Sequence, residues 1–238
     1  MHHLLKSPIT LYLIILNAIF FIPAQAQNLD QRKINLLLNS EVRVDSQDIF
    51  SEKVYLDLIN KKTDFIKYFP NAKWKVKTTR KNPNGRDYLD VFISGQRKIN
   101  HLILTLESKQ RLLITLSKNK IINYKTIDEY SILKSLDNPL KVDIVVPDLI
   151  LTGTRYDVDI ILEEPLGDNF LAGGLINTDS KDITIIKSPY INLMPLNSGG
   201  LFKSVQAPLK PGKQTIAALL VHPKGIIAVT KTINIVSD

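Results

Sequence analysis

Apolar residues recur every three or four positions in two stretches of the first seventy residues. One stretch covers residues 29–39, and the other covers residues 46–69, where Pro70 ends it. This interval places apolar side chains on one face of an α-helix, so the pattern predicts two amphipathic helices. The longer stretch carries its apolar face on Phe50, Val54, Leu58, Phe65, Ile66 and Phe69.

From Lys73 onward, polar and apolar residues alternate, which is typical of β-strands that bury one face. The tetrapeptide Asn82-Pro83-Asn84-Gly85 marks a tight turn after the first of these strands. Helices followed by strands with short turns predict an α+β domain built on an antiparallel meander. The five predicted strands cover residues 73–79, 88–94, 99–107, 112–117 and 121–127.

The segment 135–140, which contains Asp137 and Pro139, is the predicted linker. After it the chain shows only short extended runs, and turn residues bound each of them. This pattern predicts an all-β, immunoglobulin-like sandwich, so we expect an α+β domain at 27–136 and a sandwich domain at 137–238. The predicted strands cover residues 141–146, 155–163, 170–177, 183–186, 202–207, 215–221 and 226–236.

The N-terminus has the pattern of a cleavable secretory signal peptide over residues 1–26. Lys6 precedes an apolar run at residues 11–22, and Ala24-Gln25-Ala26 supplies small residues at the cleavage site. We expect cleavage after Ala26 and export by the Sec pathway to the periplasm or the exterior. The alternatives are an uncleaved anchor or a buried amphipathic helix. No later run has the length of a membrane span, so we expect none in the mature chain.

Charge is uneven along the chain, whose formal net charge is +8. Residues 27–138 hold 21 Lys and Arg against 13 Asp and Glu. Their densest cluster predicts contact with an anionic envelope polymer, a membrane surface or another envelope protein, whereas export argues against nucleic acid. The alternative is that these lysines protect an edge strand from aggregation. The cluster consists of Lys73, Lys75, Lys77, Arg80, Lys81 and Arg86.

A second cluster, in the C-terminal half, is acidic. Its carboxylates are hard oxygen ligands of the kind that Ca²⁺ prefers, although the spacing is not that of an EF-hand. The alternative interpretation is a solvated strand face followed by turn residues. The cluster consists of Asp157, Asp159, Glu163, Glu164 and Asp168.

The sequence contains no recognisable catalytic motif. Beyond the signal peptide the only histidines are His101, in a predicted strand, and His222, at a predicted turn. The chain has no cysteine, which excludes thiolate nucleophiles, thiolate zinc sites and disulfides. Two Ser-x-x-Lys matches, at Ser117 and Ser131, lack the partner motifs of serine β-lactamases. We therefore expect neither an enzyme nor a cofactor.

Five segments of the C-terminal half carry a resemblance to a known family: 151–159, 163–168, 171–174, 200–203 and 218–223. They resemble an uncharacterised exported protein family of cyanobacteria. The resemblance implies export and the two-part layout, and it brings no known activity and no catalytic residue. In architecture, the second domain resembles immunoglobulin-like and fibronectin type III modules.

These observations favour a non-enzymatic exported protein that serves as a binding or assembly module at the cell envelope. Two alternatives stay open: a periplasmic carrier or chaperone for an apolar ligand, and an envelope hydrolase without a recognisable motif. A deep apolar pocket would favour the carrier. Convergent carboxylates in a cleft would favour the enzyme, and flat surfaces alone would favour the binding module.

Overall fold

The computed structural model describes residues 29–40, 46, 48–79, 87–137, 139–178 and 190–237. The predicted signal peptide at 1–26 and the predicted strand at 183–186 lie outside these ranges. So do three cations of the basic cluster, namely Arg80, Lys81 and Arg86.

The described residues contain the two predicted helices. Helix α1 spans Gln31–Asn39, and the side chain of Asp30 caps it by accepting from two backbone N–H groups. Helix α2 spans Glu52–Tyr68, so it begins later than the predicted residue 46. The reason is that residues 48–50 form a turn and a bridge to Ile121 before the helix can begin.

Four long antiparallel strands follow α2: β1 (Lys73–Thr79), β2 (Asp87–Ile99), β3 (Leu102–Ser117) and β4 (Lys120–Ser135). The prediction of five strands was therefore wrong. The polar residues 108–111 were interpreted as a break, but they continue β3 because both neighbouring strands pair with them. The chain turns instead at Asn100, whose φ is 53°.

The described residues of the C-terminal half form eight strands, and two of them, β6 and β9, are three-residue strands too short for a periodic pattern. The other six lie close to predicted runs. In order the strands are β5 (Val142–Val145), β6 (Leu149–Leu151), β7 (Arg155–Leu162), β8 (Leu171–Thr178), β9 (Met194–Leu196), β10 (Gly200–Gln206), β11 (Gly212–His222) and β12 (Gly225–Val236).

The strands form two sheets, and the larger one runs through both halves of the chain. Its order is β1-β2-β3-β4-β12-β11-β8-β9, with β6 paired to β12, and the smaller sheet has the order β10-β7-β5. Antiparallel pairing of β4 with β12, between residues 130–134 and 227–231, joins the meander to the C-terminal strands. The two halves therefore share one backbone hydrogen-bond network.

The two faces of the large sheet are covered by different elements. The helices cover one face in the N-terminal half of the chain, and the small sheet covers the other face in the C-terminal half. One row of directly paired residues runs Trp74, Ile93, Ser108, Ser131, Thr230 across five strands. Directly paired residues point to the same side, so this row defines the face that the helices cover, here called the helix face. The opposite face packs against the small sheet in the C-terminal half, through core residues such as Val229 and Ile233.

Three apolar clusters follow this division. The sandwich cluster lies between the two sheets, and the helix cluster lies between α1, α2 and the meander. The third, here called the seam cluster, contains Phe69, Leu104, Leu106 and Leu133, with Ile226 and Ala228 packed against it. Because Ile226 and Ala228 of the C-terminal half pack against a cluster of the N-terminal half, these contacts add to the β4–β12 pairing.

The chain is thus mostly antiparallel β-sheet with two helices on its N-terminal side, followed by a β-sandwich, as predicted. The immunoglobulin-like strand order and the domain boundary at residue 137 stay predictions. Within the described ranges, no helix combines the length and the apolar character needed to cross a bilayer.

The seam cluster generates a stability prediction. We expect Leu133→Ala to lower the free energy of unfolding by about 2–4 kcal/mol, because it removes buried methyl groups and leaves a cavity. The matched control is Leu136→Ala, three residues on, since Leu136 is 40 % exposed and Leu133 only 8 %. The control should cost no more than about 0.5 kcal/mol. Urea unfolding followed by fluorescence of Trp74, the only tryptophan, measures both; equal losses would contradict the shared cluster.

Candidate functional site

A cavity of about 560 Å³ lies between the helices and the helix face of the large sheet. Its volume falls within the range of about 300–1,000 Å³ that is usual for small-molecule sites. Helices α1 and α2 supply one wall, and strands β1 to β4 supply the other. The apolar residues that line it are Ile34, Leu38, Phe50, Val54, Leu58, Phe65, Trp74, Leu89, Val91, Ile93, Leu112, Ile114 and Ile121.

The cavity exists because α2 lies over the sheet without packing closely onto it. An amphipathic helix of this length ordinarily buries a continuous stripe of side chains. In α2, however, Val54 is the only buried residue, while Leu58 and Phe65 line the cavity and stay partly exposed. Helix α1 behaves in the ordinary way, since it buries Ile34, Leu37 and Leu38. The open volume therefore lies under the middle of α2.

Helix α2 is fixed at its two ends. At its start, the backbone N–H of Ser51 donates to the carbonyl of Ile121 at 3.0 Å. At its end, Phe65 stacks on Phe69 with ring centroids 5.2 Å apart and meets Trp74 edge-on at 5.7 Å. Phe69 is fully buried. These end contacts hold the helix above the sheet as a roof over the cavity.

A polar contact joins the middle of α2 to β4 at the rim of the cavity. The Lys61 ammonium donates to the Tyr124 hydroxyl at 2.6 Å and to the Asp57 carboxylate at 2.9 Å, and Tyr124 donates to the same carboxylate. Burial opposes ionisation of Asp57, but the hydrogen bonds from Tyr124 and Lys61 outweigh it and hold its pKa below the ordinary value. In this part of the roof, these hydrogen bonds add to the contacts that the partly buried Leu58 and Ile59 make with the helix cluster.

The far end of the cavity is polar and reaches the C-terminal half. Gln110 Nε2 on β3 donates to Glu129 Oε1 on β4 at 3.2 Å. Beyond them, β11 contributes Lys213 and Thr215, and β12 contributes Thr232. The Lys213 ammonium donates to the backbone carbonyl of residue 126. The cavity thus has an apolar end formed by the N-terminal half and a polar end formed by both halves.

Burial raises the pKa of Glu129, against the opposing effects of the Gln110 hydrogen bond and the Lys213 charge. Its side chain lines the cavity and is only partly exposed. A carboxyl group in such surroundings gains a proton more readily than one in water. Glu129 can therefore act as a hydrogen-bond donor at the polar end when protonated.

The three described lysines of the basic cluster lie outside the cavity. Lys73, Lys75 and Lys77 are exposed on edge strand β1, and they point away from the helices because Trp74 and Val76 between them are buried. At this edge, side chains of α1 form hydrogen bonds with part of the β1 backbone. Asn39 exchanges hydrogen bonds with the backbone of Trp74, and Asn35 accepts from the N–H of Val76 at 2.8 Å.

One further lysine, Lys109 on β3, joins these three through the strand register. Phe92 pairs with Lys75 on one side and with Lys109 on the other, and the ammonium groups of Lys77 and Lys109 lie 5.4 and 6.0 Å from its ring. We call Lys73, Lys75, Lys77, Lys109 and Phe92 the basic face. Sequence reasoning missed its last two members because strand register has no local signal.

The acidic cluster is not brought together as a metal site. Asp157 and Asp159 lie on β7, and the other three residues lie in the following loop, where Glu164 pairs with Lys224 at 2.6 Å. Among the residues that the structure describes, no group of three or more His, Asp or Glu side chains could hold a metal ion.

The histidines lie in separate places. His101 is exposed in the turn between β2 and β3, so its prediction as a strand residue was wrong. His222 is buried at the end of β11, where Nδ1 accepts from the backbone N–H of Lys224 at 3.2 Å. The Ser131 hydroxyl, from one Ser-x-x-Lys match, donates to Ser108 at 2.8 Å. These contacts are structural.

Comparison with known families matches residues 137–236 to the model of a domain of unknown function, DUF8623. No curated protein matches the chain. The matched range contains the three residues that β11 and β12 contribute to the polar end of the cavity, and its apolar walls lie outside the range. The site is therefore assembled from the matched domain and the segment that precedes it.

The cavity generates a prediction about packing. We expect Leu58→Phe to leave the free energy of unfolding within about 0.5 kcal/mol of its original value, the usual range for substitutions without a clash. The added ring enters open volume under α2. The matched control is Ile160→Phe in the sandwich cluster, where Ile160 is 1 % exposed and an added ring should cost about 1–3 kcal/mol. Urea titration measures the free energy of unfolding of both variants. An equal loss of stability in the two would show that the cavity is closed in solution.

Proposed function

We propose that this chain is an exported, non-enzymatic binding protein that carries an apolar ligand in the cavity under α2. The observation that carries the proposal is the 560 Å³ cavity with apolar walls, roofed by a helix that buries one of its seventeen residues. The sequence left a carrier open as an alternative to a binding or assembly module, with a deep apolar pocket as the distinguishing feature.

Energetics favour a cavity that is filled. Protein interiors pack as densely as organic crystals, so an apolar void loses contacts along its whole lining. At about 24 cal/mol per Å³, an enclosed void of this volume would cost on the order of 10 kcal/mol, and this cavity, which is partly open to solvent, costs a part of that. Water in the cavity recovers little of this lost free energy, because apolar walls offer it few hydrogen-bond partners. An apolar ligand restores the missing contacts.

The volume also sets the size of the ligand. A cavity of 150 Å³ holds benzene, so 560 Å³ accommodates roughly 20 non-hydrogen atoms. One long hydrocarbon chain or a compact polycyclic molecule meets this limit. A ligand of this kind has low solubility in water, which suits a carrier that works outside the cytoplasm, as the predicted signal peptide requires.

We propose that α2 moves away from the sheet to let the ligand enter. The Asp57, Lys61 and Tyr124 contact lies at the rim, where these groups can exchange their hydrogen bonds for water. Along the middle of the helix, the apolar side chains that would leave the helix cluster, such as Leu58 and Ile59, are already partly exposed. Helix α2 is therefore the element that we expect to separate when the ligand enters or leaves.

The binding experiment uses N-phenylnaphthylamine, a neutral apolar dye that fluoresces strongly when it leaves water. We expect saturable binding at one site per chain. Leu58→Trp should weaken it at least fivefold, because the indole occupies part of the cavity. Ile66→Trp on the same helix is the matched control and should bind the dye normally, since Ile66 does not line the cavity. The carrier proposal would be wrong if the dye showed no saturable binding, or if both substitutions weakened dye binding equally.

A second role follows from the basic face, which we propose as a contact for an anionic envelope surface. Its side of the large sheet is covered by the small sheet in the C-terminal half, while Lys73, Lys75 and Lys77 are exposed on β1. A carrier needs such a contact to collect or deliver its ligand. Each exposed cation contributes about 1 kcal/mol near an anionic membrane.

The test replaces Lys73, Lys75 and Lys77 together with Gln. We expect retention on vesicles that contain anionic lipid to fall at least tenfold, and the retention of the original chain to weaken as salt screens the charges. The control replaces the exposed Lys118, Lys203 and Lys210 with Gln, which removes the same charge elsewhere. If both triple variants lose the same retention, the basic face has no specific role.

A further inference from the structure

The polar side chains at one end of the cavity indicate that one part of the ligand is polar. Apolar side chains line the part of the cavity under α1 and the start of α2, whereas polar side chains cluster where β3 and β4 approach β11 and β12. A purely apolar ligand would leave the polar side chains of the wall without hydrogen-bond partners, which buried polar groups need. The lining thus fits a molecule with one apolar and one polar part.

Strand register places the polar groups side by side on the helix face. Gln110 pairs directly with Glu129, and Thr215 pairs directly with Thr232. Ser131 pairs with Thr230, so residues two positions further along these antiparallel strands, Glu129 and Thr232, are also neighbours. Four hydrogen-bonding side chains therefore form one patch that crosses the β4–β12 seam.

The charged residues around the cavity are mostly cationic. Four lysines and one glutamate line it: Lys61, Lys62, Lys125, Lys213 and Glu129. Lys61 is paired with Asp57, and Lys62 lies at the apolar end over Trp74. Lys125 is exposed and pairs with Leu113, between the inward-facing Leu112 and Ile114, so its side chain points away from the helices. At the seam, Lys213 lines the cavity together with Glu129, whose own charge is opposed by burial. This end is therefore suited to a negative charge.

We propose that the ligand is a single-chain amphiphile with an anionic head, which binds at Lys213, Gln110, Glu129 and the two threonines while its chain lies under α2. This inference rests on the proposed carrier function. The Lys213 ammonium supplies charge-assisted hydrogen bonds to the head. Gln110 and the two threonines supply further hydrogen bonds to the head. The second chain of a two-chain lipid exceeds the cavity volume.

The proposal also assigns a role to the C-terminal domain in this chain. Lys213, Thr215 and Thr232 all belong to the range that matches the domain of unknown function. The N-terminal half supplies the apolar pocket, and the C-terminal half supplies the cation that selects the head. Selection of the ligand thus depends on the pairing of the two halves.

The experiment compares three ligands with the same chain and different heads: hexadecanoate, hexadecanol and hexadecylamine. Each displaces N-phenylnaphthylamine from the full mature chain. We expect hexadecanoate to bind at least tenfold more tightly than hexadecylamine, with hexadecanol between them. Glu129→Gln, which stays neutral at every pH, should keep the preference for hexadecanoate.

Lys213→Met tests the cation directly. We expect it to weaken hexadecanoate binding at least fivefold while hexadecanol binding stays unchanged, and the second result shows that the variant is folded. Lys210→Met, on an exposed residue three positions earlier, is the matched control and should alter neither ligand. If the three ligands bind equally, or the amine binds best, the anionic head is overturned and the carrier function stands. If none displaces the dye, both proposals fail.

Discussion

The pairing of β4 with β12 is the interaction on which the rest of the structure depends. It turns a four-stranded meander and the C-terminal strands into one sheet, and it fixes which side of each strand faces which layer. On one side, the helices cover the meander; on the other, the small sheet covers the C-terminal strands. A slip of one residue in this register would exchange the two faces, so the buried seam cluster and the cavity both require it.

The cavity follows from how the helical layer is attached to that sheet. Helix α1 packs closely and its asparagines bond to the edge of β1. Helix α2 is held by its ends, by a polar contact at the rim and by apolar side chains that are only partly buried. The space under α2 is apolar at one end and polar at the other because the sheet continues past the helices into β12 and β11. The same continuity leaves the basic face exposed on the opposite side of the meander.

Local sequence patterns could predict the elements but not their assembly. The three- to four-residue period of α2 and the alternation in β1 and β7 are signals within a few residues. The structure has all three elements, with β1 and β7 close to their predicted bounds and α2 beginning at Glu52 instead of residue 46. The β4–β12 pairing joins residues about a hundred positions apart and has no such signal. Periodicity shows which side of α2 faces inward, but not how far the facing layer lies. Gln110 and Glu129 stand at inward positions of alternating strands, where polar residues could have indicated a site.

The most direct test of the central claim is native mass spectrometry of the protein, purified without detergent from the cells that produce it. The account predicts a population heavier than the bare chain by the mass of one small molecule, which organic solvent releases and which contains one long hydrocarbon chain. Leu58→Trp should reduce that population, and Ile66→Trp should leave it intact. A spectrum with only the bare chain for every variant, together with no uptake of added hexadecanoate, would contradict the claim that the space under α2 is a ligand site.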